Sequence, residues 1–354
     1  MSVAATIDLG EIRRICIIGW GLIGDLFLRV PLIEALHSRF PRAHITVLVD
    51  PPGVKVLANH PACSRVLAVP RTKHPTWSWL CNGLRTGIAL RRERFDVSVD
   101  LYGGGSSGWA TWLINARWRI GFDHRRDLRV ANNVLVTRPS FCRHWTRELA
   151  TLLEPLGIGA DSVRCGTSYY CDEAARREAK RIVAGYDTQR LLAINLGAGD
   201  ARKCWPVARF VDLAHELQRR DGLIPVVFRN PGQEHLADSF AASFRGEAIF
   251  PPRLELNIVA GLLEMCRAIV TADSALMHLA IGLKRPVLAL FTQTRPEAVW
   301  PDDCVFVACI REKINVADRC GRPTPDPDLP VDAALAAYDE LARLAAGDLA
   351  RSTG

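Results

Sequence analysis

Short apolar runs alternate with amphipathic segments along most of the chain. The runs predict buried strands at 12–18, 43–49, 63–69, 95–101, 191–196, 223–229 and 287–291. Segments of mixed polarity between and after them predict helices at 25–40, 77–92, 144–156, 173–184 and 331–346. This rhythm is typical of parallel α/β domains. We therefore predict two Rossmann-like domains facing a cleft, at 1–172 and 173–330, with a closing helix and tail at 331–354.

The stretch from Val270 to Phe291 is the most informative strand–helix–strand unit. Its first apolar run leads into Asp273 and Ser274, either of which can cap the following helix by accepting from a free N–H group. His278 lies in the first turn or so of that helix, where unpaired N–H groups and the helix dipole attract anions. The arrangement suits a phosphorylated sugar donor. An ordinary strand–helix–strand unit with a satisfied histidine explains it equally well.

A glycine-rich turn follows the first predicted strand. Gly19, Gly21 and Gly24 have the G-x-G-x-x-G spacing, a helical segment comes next, and the second strand ends at Asp50. This order matches the dinucleotide-binding fingerprint, in which the acid contacts a ribose hydroxyl. On its own, the turn predicts an oxidoreductase that uses NAD or NADP.

Two residues argue against a dinucleotide at this turn. Asp25 directly follows the third glycine, so a carboxylate stands where a pyrophosphate would bind, and the two charges would repel each other. Pro31 falls inside the helical segment, where its missing N–H kinks or restarts a helix. A sharp turn needs glycines for backbone reasons alone, and an acid favours a helix start. A carboxylate here also suits a general base that deprotonates a sugar hydroxyl.

Two further loops carry candidate ligand groups. Residues 197–203 run from Gly197 through small residues to Arg202 and Lys203, and their N–H groups and cations would suit a diphosphate. The spacing is not that of a Walker loop. Gly103 and Gly104 begin a glycine- and serine-rich loop, predicted to be flexible over 103–108, at the carboxyl end of a strand. Such loops often line clefts in α/β folds.

The helix predicted at 77–92 mixes tryptophan, leucine and arginine. Its apolar face and cationic end would suit the surface of an anionic membrane. Packing against its own domain, with the arginines in solvent, explains the same pattern, and on pattern alone we prefer this second interpretation.

Composition narrows the class of protein. Of the 354 residues, 49% are hydrophobic and 23% are charged, as in folded globular proteins. No apolar run reaches the roughly 20 residues of a membrane-spanning helix, and the N-terminal residues do not resemble a signal peptide, so we expect a cytoplasmic protein.

The 11 cysteines are scattered, without C-x-x-C or zinc spacing. We therefore expect reduced thiols and no metal site.

The charge balance favours an anionic partner. Lysine and arginine number 45 against 38 acidic residues, which gives a net charge of +7. A phosphorylated substrate or an anionic membrane surface would fit this excess. The basic residues are dispersed and no nucleic-acid-binding signature occurs, so we expect no nucleic acid partner.

Four stretches together resemble glycosyltransferase family 9, the bacterial enzymes that include the lipopolysaccharide heptosyltransferases. The first stretch is Gly24-Asp25, followed by 31–36, Phe40-Pro41 and the strand at 45–49. The second is the segment 144–158, which ends in Leu-Gly-Ile, and the third is Lys203-x-Trp205-Pro206 with Arg209-Phe210. The fourth is residues 273–278, Asp-Ser-Ala-Leu-Met-His, with Lys284-Arg285-Pro286 behind them. Their order and spacing over roughly residues 14–301 carry the resemblance, because each motif is modest alone.

The resemblance implies a GT-B fold with an acceptor-binding first domain and a donor-binding second domain. It implies inverting transfer of a sugar from a nucleotide-sugar, typically ADP-heptose, to a lipopolysaccharide core or related envelope glycan. Asp25 is similar to the family's catalytic base and Lys203 to the residue that meets the donor phosphates. Asp273, Ser274 and His278 resemble the donor-binding cluster.

Further expectations follow from this assignment of the two domains. Gly197 and Arg202 are expected on the donor side, and Gly24, Gly103 and Gly104 on the acceptor side. No D-x-D motif occurs within residues 14–301, the range that carries the resemblance, so we expect a metal-independent reaction without a cofactor. An anionic glycolipid acceptor would bring the enzyme to the inner face of the cytoplasmic membrane.

Departures from the family pattern fall around the donor. Asn195-Leu196-Gly197 stands where the family has His-Pro-Gly, Ala275 replaces a glycine, and Thr292-Gln293-Thr294 replaces Gly-Pro-Thr. They leave the identity of the donor more open than the class of reaction. A non-catalytic relative that binds nucleotide-sugars is an alternative, as is the NAD(P)-dependent oxidoreductase.

Overall fold

The computed structural model of the protein describes residues 7–70, 77–140, 144–310 and 329–352, and only the backbone of 77–82, 310 and 348–352. Two compact units divide between Thr167 and Ser168. The sequence places the boundary a few residues later, after residue 172. The segment that follows the division belongs with the second unit because the Tyr169 N–H donates to the Gly282 carbonyl, at 3.0 Å.

The first unit contains a parallel sheet covered by helices. Its described strands are β1 Arg14–Ile18, β2 His44–Val49, β3 Arg65–Ala68, β4 Val97–Asp100, β5 Trp118–Phe122 and β6 Val134–Val136. They are arranged β3-β2-β1-β4-β5-β6, with every described pair parallel. Its described α-helices are α1 Ile23–Phe27, α2 Val30–Arg39, α3 Val54–Leu57, α4 Trp77–Arg92, α5 Gly105–Ile114, α6 Arg126–Ala131 and α7 Trp145–Ala150.

One face of this sheet packs against α4 and α5. Leu90 of α4 and Ile114 of α5 share a buried apolar cluster with Cys16 and Ile18 of β1. Strand β1 is buried from Ile15 to Ile18, since parallel strands are covered by helices on both sides. This burial explains why the sequence presents it as a continuous apolar run, whereas the neighbouring β4 carries the buried polar residues Ser98 and Asp100.

The helix predicted at 25–40 is broken in two. Helix α1 ends at Phe27 and α2 starts at Val30, with Pro31 in its first turn. Proline is tolerated there because the first N–H groups of a helix have no intrahelical partner. The expectation that Pro31 restarts the helix is confirmed. The flexible loop predicted at 103–108 is wrong in part, because α5 already begins at Gly105.

The second unit repeats the architecture with a different strand order. Its described strands are β7 Leu191–Asn195, β8 Ile224–Val227, β9 Ala268–Ala272, β10 Val287–Phe291 and β11 Phe306–Ile310, arranged β11-β10-β9-β7-β8 and parallel throughout. Its described α-helices are α8 Glu173–Ile182, α9 Val207–Asp221, α10 Glu234–Ser243, α11 Leu256–Met265, α12 Ala275–Gly282 and α13 Val331–Ser352.

The closing helix α13 is part of the core of the second unit. Its residues Tyr338 and Leu341 are buried in one cluster with Trp205 and Phe210. The Trp205 and Phe210 rings meet edge to face with centroids 4.9 Å apart, and the Trp205 indole N–H donates to the Leu329 carbonyl at 2.9 Å. Among the described helices, none is both long and apolar enough to cross a bilayer.

Each sheet has one point at which the strand order reverses. In the first unit it lies between β1 and β4, and in the second between β7 and β9. Helices on opposite faces of a sheet diverge there, so ligands of open α/β sheets bind beyond the carboxyl ends of these strands. The last residues of β1, β4, β7 and β9, namely Ile18, Asp100, Asn195 and Ala272, and those that follow them are therefore the ones that the topology makes available for chemistry.

Candidate active site

The turn after β1 is closed by its own side chains. The Gly21 N–H donates to Asp50 Oδ2 at 2.8 Å, so the acid that a dinucleotide fingerprint assigns to a ribose binds the turn instead. Gly21 has φ +134°, and a Cβ there would lie 2.7 Å from Arg29 Nη1. Both the backbone angle and the close approach require glycine.

A buried arginine holds the other side of the turn. Arg29 lies between α1 and α2, and its Nη1 donates to the carbonyls of Gly19, at 3.3 Å, and Trp20. Its side chain is 7% exposed. The sequence analysis missed this residue, although an arginine beside Val30 in an otherwise apolar stretch was a signal of a buried polar contact.

Asp25 lies in the first turn of α1, on the open side of this turn. Its side chain is exposed, and its Oδ2 accepts a long hydrogen bond of 3.3 Å from the Leu22 N–H. Gly24 precedes it in the same turn of helix. The structure thus places a solvent-accessible carboxylate at the topological switch point of the first unit.

Asp100 anchors the glycine loop that follows β4. Its Oδ1 accepts from the N–H groups of Tyr102 and Gly103, both at 3.0 Å, and its Oδ2 accepts from Ser107 Oγ at 2.6 Å. Burial raises the pKa of the Asp100 carboxyl, although these three hydrogen bonds oppose the shift. Gly103, with φ +66°, and Gly104, which caps α5, are held beside β1 by this carboxylate. The sequence analysis did not identify Asp100 as a site residue.

The second unit places an ion pair at its switch point. Lys203 Nζ lies 2.6 Å from Asp273 Oδ2, and Thr294 Oγ1 donates to the same oxygen. Burial opposes ionisation of Asp273, but the charge and hydrogen bond of Lys203, with Thr294 and His278, hold the pKa of its carboxyl below its ordinary value. Lys203 and Asp273, which the sequence analysis named separately as donor-side residues, therefore lie in one cluster, to which the structure adds Thr294.

An asparagine at the end of β7 connects this cluster to the loop that follows. Asn195 Nδ2 lies 2.9 Å from Thr271 Oγ1, 2.9 Å from Ser274 Oγ and 3.0 Å from the Gly197 carbonyl. Its Oδ1 accepts from Asn230 Nδ2 at 2.7 Å. Asn195 thus holds Gly197 and Ser274 together.

Helix α12 begins where the sequence predicted. Of the two candidate caps, Ser274 is the one used, and its Oγ accepts from the Met277 N–H at 3.4 Å. His278 lies one turn into the helix and is buried, and its charged form would interact with Asp273.

Arg202 is held by a neighbouring carboxylate. Its Nη2 and Nε lie 2.6 and 3.1 Å from Asp200 Oδ2. The hydrogen bonds of Arg202 and its charge lower the pKa of Asp200 to about 2. Arg202 therefore lies beside Lys203 in the chain, but it forms an ion pair of its own.

The donor and acceptor residues predicted from the sequence thus fall at the two switch points. Among the described residues, no group of histidine, cysteine, aspartate and glutamate side chains could hold a metal ion. A chain of two parallel α/β units, with an exposed carboxylate in the first and a lysine–aspartate ion pair in the second, has the organisation of a GT-B glycosyltransferase.

Comparison with known proteins identifies the family. The model of glycosyltransferase family 9 (heptosyltransferase) matches residues 84–313. The chain is 24% identical over 277 residues to lipopolysaccharide heptosyltransferase 3 of Escherichia coli K12, which covers 77% of this chain and 80% of that protein.

Solved structures agree on the fold. The glycosyl transferase family 9 structure from Veillonella parvula superposes with a TM-score of 0.80 at 21% identity, over 96% of this chain and 99% of that chain. The E. coli ADP-heptose lps heptosyltransferase II superposes with a TM-score of 0.75 at 20% identity, over 93% and 98%.

The chain belongs to glycosyltransferase family 9. It is a glycosyltransferase with the GT-B fold. The resemblance seen in the sequence is confirmed, and the oxidoreductase alternative is not favoured. The closure of the glycine turn by Asp50 and Arg29 gives a physical reason why its spacing does not indicate a dinucleotide.

Proposed function

We propose that the protein transfers a heptose from ADP-heptose to a lipopolysaccharide core or a related envelope glycan. Relatives in the same family carry the names lipopolysaccharide heptosyltransferase and ADP-heptose lps heptosyltransferase. The observation that carries the proposal for this chain is the exposed Asp25 at the switch point of the first unit. An accessible carboxylate there suits the acceptor side of a sugar transfer.

Asp25 is the proposed general base. Its carboxylate takes the proton from an acceptor hydroxyl as that oxygen attacks the anomeric carbon of the donor. The new bond joins this oxygen to the anomeric carbon, and the bond from that carbon to the diphosphate breaks. Attack from the face opposite the diphosphate inverts the configuration of the sugar, and ADP leaves with the bonding electron pair.

Lys203 is proposed to stabilise the departing diphosphate. Negative charge grows on the leaving group in the transition state, so a fixed ammonium lowers the barrier more than it strengthens ground-state binding. The N–H groups at the start of α12, which Ser274 caps, are suited to the same charge. With these groups supplying the positive charge, we propose a metal-independent reaction without a cofactor.

The proposed acceptor is an anionic glycolipid, so we propose that the enzyme works at the inner face of the cytoplasmic membrane. The net charge of +7 fits a partner of this kind. Gly24, Gly103 and Gly104 are the proposed neighbours of the acceptor, since they line the same switch point as Asp25.

Thermal shifts with ADP, UDP, GDP, NAD and NADP, measured in EDTA, test the choice of donor. A ligand that binds only the folded chain raises Tm in proportion to its affinity and excess. We expect ADP to raise Tm and the other ligands to leave it nearly unchanged. A response to UDP or GDP alone would replace the donor, and a response to NAD alone would contradict the reaction class.

Lys203→Ala tests the donor contact. Loss of a charge-assisted contact to phosphate should weaken ADP binding by about tenfold or more, as measured by calorimetry. Lys180→Ala is the matched control, because Lys180 is an exposed lysine of α8 in the same unit. Unchanged ADP affinity in Lys203→Ala would contradict the proposed role.

A further inference from the structure

Three neighbouring helices of the first unit expose large apolar side chains. We call the set formed by Leu84, Ile88, Trp109, Trp112 and Val130 the tryptophan face. Trp109 is 70% exposed, Trp112 50% and Val130 74%. Isolated exposed apolar residues are common, but two tryptophans one turn apart on a single helix are not, since tryptophan is usually well buried.

Close packing places these three helices side by side. A Cβ at Gly87 of α4 would lie 2.9 Å from the Leu113 Cβ of α5, and a Cβ at Gly108 of α5 would lie 3.4 Å from Leu128 of α6. Helix α5 therefore lies between α4 and α6. Trp109 and Trp112, three residues apart, project from its solvent side.

The helices on either side of the tryptophans carry positive charge. Helix α4 contains no acidic residue, and its Arg85, Arg91 and Arg92 are exposed. Helix α6 contains one acid, Asp127, which pairs with Arg125 at 3.0 Å. The surroundings of the tryptophan face are thus basic at neutral pH.

The tryptophan face is connected to the acceptor side of the active site. Helix α5 begins at Gly105, directly after Gly103 and Gly104, and β4, which precedes this loop, pairs with β1. The β1 turn and the start of α5 therefore lie at the same edge of the sheet. A surface that met a membrane here would bring lipid-anchored sugars toward the edge that carries Asp25.

We propose that the tryptophan face docks on an anionic lipid bilayer. The inference rests on the proposed glycolipid acceptor. Tryptophan side chains favour the membrane interface because one part is apolar and the indole N–H is polar, and arginines beside them attract anionic headgroups. The Trp109 and Trp112 rings are nearly perpendicular, at 86° with centroids 5.9 Å apart, so they do not form a flat platform for stacking a sugar.

Vesicle flotation of the full-length chain tests the proposal. We expect binding to vesicles of phosphatidylcholine with phosphatidylglycerol and little binding to phosphatidylcholine alone. Raising the salt from about 0.1 M to about 0.5 M should weaken the binding, because the charge attraction is screened. No binding to the anionic vesicles, or equal binding to both kinds, would overturn the proposal.

Two independent variants locate the surface. Trp109→Ser with Trp112→Ser removes apolar contact, and Arg91→Glu with Arg92→Glu reverses charge. Each pair should lower partitioning by about tenfold. Trp300→Ser is the matched control, since Trp300 is an exposed tryptophan of the second unit, and it should change nothing. An equal loss in the control would overturn the proposal. If one of the two double variants fails to fold, vesicle binding by the other still tests the proposal.

Transfer assays separate this proposal from the proposed function. The tryptophan variant should be slow with acceptor lipid in vesicles and normal with a delipidated, water-soluble acceptor. Slow transfer to the water-soluble acceptor, with normal vesicle binding, would assign the tryptophans to acceptor sugars and overturn the membrane proposal. If the unaltered chain binds anionic vesicles but transfers heptose to neither acceptor, the proposed function fails and the docking surface stands.

Discussion

Four carboxylates at the two switch points have four different environments. Asp50 and Asp100 accept hydrogen bonds from loop N–H groups, Asp273 pairs with Lys203, and Asp25 is exposed. Asp50, Asp100 and Asp273 lie at or directly after the end of a strand, and Asp25 lies in the helix that follows β1. The sequence analysis singled out Asp25, Asp50 and Asp273 but not Asp100. Their environments differ because their partners differ: those of Asp100 are local, whereas Gly21 and Lys203 are distant in the chain from Asp50 and Asp273.

Asp25→Asn should abolish most of the transfer activity. Removal of a general base typically costs about 10²–10⁴-fold in rate, while the exposed position predicts little change in folding stability. Steady-state kinetics, with ADP affinity from calorimetry, would check both expectations. Asp161→Asn, at an exposed position of the same unit, is the control. Near-normal turnover in Asp25→Asn would contradict the assignment of the base.

The Lys203–Asp273 ion pair predicts a pH-dependent contribution to stability. The folded-state pKa of Asp273 lies below its ordinary value, so its stabilising contribution is complete above about pH 4. That contribution is lost as the pH falls through the lower folded-state pKa. Asp273→Asn should therefore reduce the free energy of unfolding by about 1–3 kcal/mol at pH 7.

Urea unfolding at pH 7 and at stepwise lower pH would measure this linkage. The difference between the unaltered chain and Asp273→Asn should shrink as the pH falls below about 4. A difference that stays constant with pH would show that the aspartate stabilises by packing and not by its charge.

At the scale of elements, strands were predicted better than the structures that join them. The strand at 287–291 was predicted with the bounds it has, whereas that at 95–101 shortens to Val97–Asp100. An apolar run marks burial, but a strand needs a partner along its whole length, and the partner comes from elsewhere in the chain. Helix α5 was not predicted, because glycine and serine at its start have low helix propensity. Its first turn depends on the Ser107–Asp100 hydrogen bond.

The turn between β1 and α1 illustrates the same limit. Its glycines were evident in the sequence, but Arg29 was not, because its acceptors are main-chain carbonyls about ten residues earlier. The spacing of these glycines alone matched that of a dinucleotide-binding site. The side chains that close the turn, and so argue against that interpretation, became evident only from the fold.

Gly21→Ala tests how strongly the turn depends on its backbone angle. The φ of +134° and the approach to Arg29 both disfavour a Cβ, so the variant should lose about 1–3 kcal/mol of unfolding free energy and much of its activity. Gly19→Ala is the control, because a Cβ there would meet its nearest neighbour at 3.5 Å, an ordinary contact distance. Equal stability of the two variants in chemical denaturation would contradict the argument.

At the scale of the whole molecule, the division into two units separates the proposed chemistry. The acceptor-side residues belong to the unit that ends at Thr167 and the donor-side residues to the unit that begins at Ser168. The sequence indicated this plan through its two sets of strand–helix alternation. The order of strands within each sheet was not predicted, because local patterns do not encode which strands pair.

Hydrogen–deuterium exchange with and without ADP would test this separation. Protection should concentrate in residues 196–206 and 273–282, because a ligand slows exchange where it contacts and orders the backbone. Inorganic phosphate in place of ADP is the control. Protection confined to the glycine turn at 19–27 would instead place the nucleotide in the first unit and contradict the assignment of the donor side.

The ion pair with Asp273 affects which anions Lys203 can bind. Lys203 and Asp273 lie 2.6 Å apart, so on its proposed role Lys203 can bind a phosphate group only in competition with a carboxylate. Inorganic phosphate brings little more than its charge to that competition, whereas a nucleotide-sugar also brings a nucleoside and a sugar with contacts of their own. On this proposed role, the ion pair keeps small anions from filling the donor site and reserves it for the complete substrate.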